Sequence, residues 1–124
     1  EEIAVSIAAE LIAERKDCGT STLSESMLDA LCSETSAGGI MATVVRKTGS
    51  APRGTGARML MLPSGAVIGT VGGGLAEYEV TETARRLLKH PHPLLRHFDM
   101  ANGEAGKSGL ICGGAVDVLF EVVT

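Results

Sequence analysis

The sequence predicts an α/β (α+β) chain: a mixed β-sheet of about five strands with packed helices, a single domain preceded by an α-helical N-terminal arm. Three observations carry that expectation. The chain has 124 residues, a length that suits one domain and lets roughly two thirds of the unfolded surface be buried. Short β-branched and apolar runs bounded by glycine and proline recur after residue 40, while apolar residues at helical spacing gather in three other stretches. Charge divides the chain at the same place: residues 1–39 carry a net −6 and residues 40–124 a net +2. The division gives an acidic helical arm, 1–39, and a domain, 40–124.

The elements follow in order. Ile3, Ile7, Leu11 and Ile12 predict an amphipathic helix over 2–16, ended by Cys18-Gly19-Thr20-Ser21. Ser24 is placed to cap a second helix with Met27, Leu28 and Leu31 facing inward. Small residues from Ser33 to Gly39 connect it to a first strand, Ile40–Arg46. Gly49, Pro52, Gly54 and Gly56 make Thr48–Gly56 a loop. Arg58–Leu62 and Ala66–Thr70 flank Pro63-Ser64-Gly65 and predict a hairpin. A helix runs from about Leu75 to Lys89, with Val80, Ala84, Leu87 and Leu88 apolar and Glu77 and Glu79 in or near its first turn. Pro91 and Pro93 stop it. Leu94–Met100 is a strand, Ala101–Gly109 a polar loop and Ala115–Val123 a closing strand.

Composition excludes several functions. Aromatics are 2% of the chain, Tyr78, Phe98 and Phe120 alone, so base stacking has little to work with. The net charge of −4 argues against a phosphate-backbone binder. Three widely spaced cysteines, Cys18, Cys32 and Cys112, make neither a disulfide framework nor a zinc ribbon. A reducing cytoplasm is the expected setting. No apolar run reaches the ~18 residues of a membrane span, and Glu1-Glu2 is unlike the basic start of a signal peptide.

Three segments are candidates for chemistry. No acid lies between Glu34 and Glu77, a stretch holding Arg46, Lys47, Arg53, Arg58 and ten of the sixteen glycines. It is either an anion site or a solvated loop. Within it, Gly72-Gly73-Gly74 joins a strand to a helix, where backbone N–H groups and the helix dipole suit a phosphate; the plainer role is a tight turn. Ser50 and Thr55 bring hydroxyls, and Arg53 and Arg58 forked donors, to a loop stiffened by Pro52. Cys112, before Gly113 and Gly114, is either an inert buried thiol or a thiolate able to meet a metal or sulfur.

Other motifs are weaker. Ala101–Ser108 matches a loose Walker A pattern, but a strand-like run follows where a P-loop needs a helix. His90 and His92 flank a helix end and suit its dipole; with His97 they form no evident metal set. Met59 and Met61 alternate in a strand as core residues do.

Taken together, Ala42-Thr43-Val44-Val45, Gly49-Ser50-Ala51-Pro52-Arg53, Gly56-Ala57-Arg58-Met59, Gly69-Thr70-Val71-Gly72-Gly73-Gly74 with Glu77, and Cys112-Gly113-Gly114 resemble the N-terminal domain of the XdhC/CoxI family over residues 40–123. The resemblance implies an accessory protein, a chaperone and maturation factor without turnover. It implies transient binding of molybdenum cofactor (molybdopterin), with Ser50, Arg53, Arg58, Gly72, Gly73, Gly74, Glu77, Cys112, Gly113 and Gly114 around it and Cys112 facing the metal. The partners implied are a molybdenum hydroxylase apo-enzyme such as xanthine dehydrogenase or CO dehydrogenase, a cysteine desulfurase, and further copies of the chain in a homo-oligomer. The C-terminal Rossmann-like domain of longer members is expected to be absent, since the sequence ends at Thr124. Two other functions stay open: a thiol-dependent sulfur carrier or transferase using Cys112, and a non-catalytic interaction domain in which the arginines pair with protein carboxylates.

Overall fold

The computed structural model describes residues 3–8, 23–49, 54–100 and 114–124. Residues 3–8 are helical (α1). There follow α2 (Glu25–Cys32), a 3₁₀ turn (Glu34–Ser36), β1 (Ile40–Thr48), β2 (Arg58–Met61), β3 (Val67–Gly69), α3 (Gly74–Lys89), β4 (Leu94–Asp99) and β5 (Ala115–Val122). The five strands form one sheet in the order β3-β2-β1-β5-β4. All four pairings are antiparallel, where the sequence predicts a mixed sheet. The reason is topological: the helical crossover seen among the described residues, α3, joins β3 to β4, and these are opposite edges that never pair. The remainder of the predicted first helix and the predicted 101–109 loop lie outside the described residues.

Local chemistry accounts for the elements. Ser24 caps α2, its Oγ accepting from Met27 N–H at 3.2 Å, a contact worth about 1 kcal/mol. Eight residues are too few for a helix to hold itself in water, so α2 depends on what it buries. Met27 is fully buried, with Leu23, Ala30 and Leu31 packed beside it. Leu28, predicted to face inward, is 46% exposed, because one residue along a helix turns the side chain by about 100° off that stripe. Ile3 and Ile7 are likewise exposed.

In the hairpin, Leu62 N–H donates to Ala66 O and Gly65 N–H to Leu62 O, both at 2.8 Å. Gly65 supplies the positive φ this turn needs. α3 buries Ala76, Val80, Thr83, Ala84 and Leu87 along one stripe and ends at His90, just before Pro91. Among the described residues no helix is long and apolar enough to cross a membrane.

Alternation sorts the strands into two faces. Ile40, Ala42, Val44, Met59, Met61, Phe98, Val116, Val118 and Phe120 pack under α3. Phe98 and Phe120 meet edge to face, centroids 6.3 Å apart. On the opposite face Met41 and Leu60 lie under Met27 of α2, with Ile68 and Leu62 alongside. Arg96 stays on the α3 side: its Nη1 donates to Thr83 Oγ1 at 2.9 Å and its guanidinium lies 5.0 Å from the Phe98 ring centroid.

Met27 of α2 comes close to the sheet at Gly69, which has φ +82°. A Cβ there would lie 2.5 Å from Met27 Cε and 2.6 Å from Arg58 O. Gly65 has a similar φ of +86° but no atom within 4 Å of the corresponding position. Gly65→Ala is therefore expected to cost about 1 kcal/mol by left-handed strain alone, and Gly69→Ala about 3 kcal/mol through strain and backbone collision together. Urea unfolding of the two variants measures the difference; equal losses would refute the close approach.

Candidate functional site

The antiparallel order puts the ends of β1, β3 and β4 and the starts of β2 and β5 at one end of the sheet. Thr48, Thr70 and Met100 leave from that end; Arg58 and Gly114 enter there. Met100 N–H donates to Gly114 O at 2.9 Å, and Thr70 N–H to Arg58 O at 3.1 Å. The described residues flanking all three predicted segments thus share one edge of the fold. Ser50, Arg53, Cys112 and Gly113 themselves lie outside the described residues.

Gly72, Gly73 and Gly74 have φ of 138°, 76° and 61°, which L side chains rarely adopt. The turn is closed by Glu77. Its Oε2 accepts from Gly73 N–H at 2.9 Å and from the Thr70 hydroxyl, while Thr70 Oγ1 accepts from Gly72 N–H at 3.1 Å. Glu77 reaches back to the cap residue in the manner of a capping box and sets its charge against the positive helix end. One N–H group of the glycine turn is therefore spent on the protein's own carboxylate and a second on the Thr70 hydroxyl. Arg58 is half buried on the opposite face, in an open groove of about 380 Å³ with Leu31, Met41, Thr43, Leu119 and Glu121.

A second cluster lies at the same end, on the face away from α3. Asp117 Oδ2 accepts from Arg46 Nε at 2.6 Å, and its Oδ1 meets His97 Nδ1 at 2.5 Å. The carboxylate side chain is 10% exposed, against 75% for Arg46 and 62% for His97. Sequence pairing explains the meeting. β5 lies between β1 and β4, and Asp117 is directly opposite both Arg46 and His97. Arg46 reaches that face because the β1–β5 register shifts between Val44 and Arg46; one extra residue re-aims the side chain. The His97 hydrogen bond, then that of Arg46, with the charges of both, hold Asp117 below its ordinary 3.8 against the opposing effect of burial. A cavity of about 230 Å³ opens here, lined by Arg46, Thr48, His97, Ala115 and Asp117.

Sequence reasoning missed this cluster. Its signal was Asp117, a single acid in the apolar run Ala115–Phe120. Among the described residues no group of three His, Cys, Asp or Glu is placed to hold a metal ion.

Two expectations follow. Glu77→Ala, which strips an acceptor from Gly73 N–H and Thr70, is expected to lose about 1–2 kcal/mol in urea unfolding, and Glu77→Gln about half of that; no loss in either would show the turn to be held otherwise. Because the folded-state pKa of Asp117 is depressed, its contribution is complete above the ordinary aspartate range and disappears as pH falls through the lower folded value. Thermal unfolding followed from about pH 5 to about pH 2 is expected to show a steeper loss in the native chain than in Asp117→Asn; parallel curves would contradict the ion-paired assignment.

Over 82 residues, 66% of its length, the chain is 40% identical to the uncharacterized protein YqeB of Escherichia coli (strain K12), of which that span is 15%. The chain thus spans about a seventh of that curated relative. A solved structure described as a xanthine dehydrogenase from Bacillus halodurans superposes with a TM-score of 0.65 at 26% identity, covering 85% of this chain and 31% of that one. Residues 32–99 match the XdhC and CoxI family. That range holds β1 to β4, α3, the Glu77-closed glycine turn, Arg46, Arg58 and His97: the chain belongs to the XdhC and CoxI family.

Proposed function

We propose that this chain is the cofactor-holding part of an accessory protein for molybdenum hydroxylases. In this reading it takes up molybdenum cofactor, shields it, and passes it to an apo-enzyme such as xanthine dehydrogenase or CO dehydrogenase, without turning over a substrate. Membership of the family supports the class of client. The observation that carries the reading is the shared sheet end, where the flanks of all three glycine-bearing segments meet.

The donor chemistry of that end fits an electron-rich group bearing a phosphate, paired sulfurs and an oxo-metal centre. Arg46, Arg58 and His97 supply cationic or donor groups, and the nearby carboxylates Glu77 and Asp117 already have hydrogen-bond partners. Arg53 and Ser50 would hold the anionic part beside the Gly72–Gly74 turn, with Arg58 at the same sheet end on the α2 side. Cys112, between the β4–β5 flank and Gly113-Gly114, would face the metal, for which a thiolate is a suitable soft ligand. When bound, the cofactor supplies the redox centre of the client; the chain contributes binding, orientation and exclusion of water. The reading places the protein in the cytoplasm as a homo-oligomer, with a cysteine desulfurase as a further partner.

An absorbance titration of the folded chain with cofactor released from a molybdenum enzyme tests it. Saturable uptake is expected, and no uptake would overturn the reading. Cys112→Ser is expected to retain sulfurated cofactor about tenfold less well, ~1.4 kcal/mol, with circular dichroism confirming the fold; unchanged retention would remove Cys112 from the site.

A further inference from the structure

We propose that Arg46, Asp117 and His97 form a binding site for a phosphate-type oxyanion, either free phosphate or the phosphate of a monoester, on the face of the sheet opposite α3. The proposal stands whether or not the cofactor reading does.

Geometry argues it first. Asp117 sits between Val116 and Val118 on β5, a strand paired on both sides, where an apolar residue would need no partner. Instead, one covered carboxylate fixes two exposed groups at 2.6 and 2.5 Å. Arg46 binds it through Nε alone. A pair serving only the fold favours the bidentate fork; here both Nη groups remain without a partner among the described residues. Asp117 is an acceptor-only carboxylate, so His97 Nδ1 carries the proton it shares with Oδ1. The ring is thereby fixed in one tautomer and presents Nε2 outward. The charged ring donates from Nε2, and the neutral ring accepts there from the hydroxyl of a singly protonated phosphate.

Charge and space agree with this. Both Asp117 oxygens are engaged, and the carboxylate is covered while the two bases are exposed. An incoming anion therefore meets the guanidinium and the imidazole before it meets the carboxylate. The cavity of about 230 Å³ admits a small oxyanion, and Thr48 stands on its rim with a hydroxyl directed to Ala115 O at 3.5 Å. A cation is disfavoured by the guanidinium. Asp117 is a positioning residue: it orients the two groups that touch the anion.

Nuclear magnetic resonance of the histidine rings tests the site, with inorganic phosphate and phenyl phosphate as the two probes. His90 and His92 follow α3 at the other end of the sheet and serve as internal controls. A saturable shift of His97 with either probe, and none of His90 or His92, is expected. Response to inorganic phosphate alone identifies free phosphate as the ligand class; response to phenyl phosphate alone identifies a monoester. Arg46→Gln, a substitution at an exposed side chain, is expected to weaken the response at least tenfold. Arg46→Lys, which keeps the charge but loses the fork, is expected to weaken it several-fold, and it decides the matter should the glutamine variant fail to fold. Absence of a saturable shift, an equal shift with acetate, or an undiminished shift in the Arg46 variants would overturn the proposal. Phosphate binding without cofactor uptake would refute the cofactor reading and leave this site standing.

Discussion

The pairing of β1 with β5 is the constraint on which the rest of the structure depends. It runs from Ile40 opposite Val122 to Thr48 opposite Ala115 and changes register once, between Val44 and Arg46. Side chains of a strand alternate between faces, so a one-residue slip inverts them all beyond that point. Before the shift, Ile40, Ala42 and Val44 are buried beneath α3. Without it, Arg46 would continue on that apolar side and Val45 would stand opposite Asp117. With it, Val45 is left unpaired and 44% exposed, and Arg46 meets Asp117. An unpaired guanidinium in the α3 interface would be far costlier than one displaced ladder position, so the shift serves the core and the surface cluster together.

The glycine turn shows a related economy. Three successive positive φ values mark the start of α3, and the Gly72 and Gly73 N–H groups there donate to side chains and not to a strand. Such a turn attracts an anion whatever its source. Here the first source is internal, since Glu77 lies one turn into the helix and returns its carboxylate to Gly73 N–H. Thr70 extends the arrangement, donating to Glu77 and accepting from Gly72. The turn is thus already shaped before any ligand arrives, which lowers the ordering entropy that binding would otherwise require.

Local signals made most of the fold legible in the sequence. Proline and glycine marked the hairpin at 63–65 and the end of α3, the apolar stripe of α3 was read at Val80, Ala84 and Leu87, and every predicted strand lies within a few residues of an observed one. Pairing was not legible. Nothing local says that β5 returns to the centre of the sheet, nor that β3 and β4 end as opposite edges, so the antiparallel character was missed. The Asp117 cluster was hidden for the same reason: its partners are 71 and 20 residues away in sequence, and one of them arrives only through a register shift. Leu28 failed differently, because a short helix with apolar residues at both 27 and 28 leaves the buried stripe undecided until its neighbours are known. Of the predicted site, Glu77 is brought together with the Gly72–Gly74 turn, while Arg58 joins it only through the backbone hydrogen bond of Thr70 and turns its side chain to the α2 face.

The family match ends at residue 99, yet the strand that completes the sheet is β5, beginning at Ala115. Taken alone, residues 32–99 would present β1 and β4 as unpaired edges, with Val44 and Phe98 stripped of Val116, Val118 and Phe120. Exposed edges of that kind pair indiscriminately, so the matched span is not a physical unit without β5. The same strand carries Asp117, while Arg46 and His97 lie inside the matched span. The strand that makes the fold cohesive therefore also brings the carboxylate that holds two distant bases side by side. In this chain the stability of the sheet centre and the chemistry of its loop-bearing end are two consequences of placing β5 between β1 and β4.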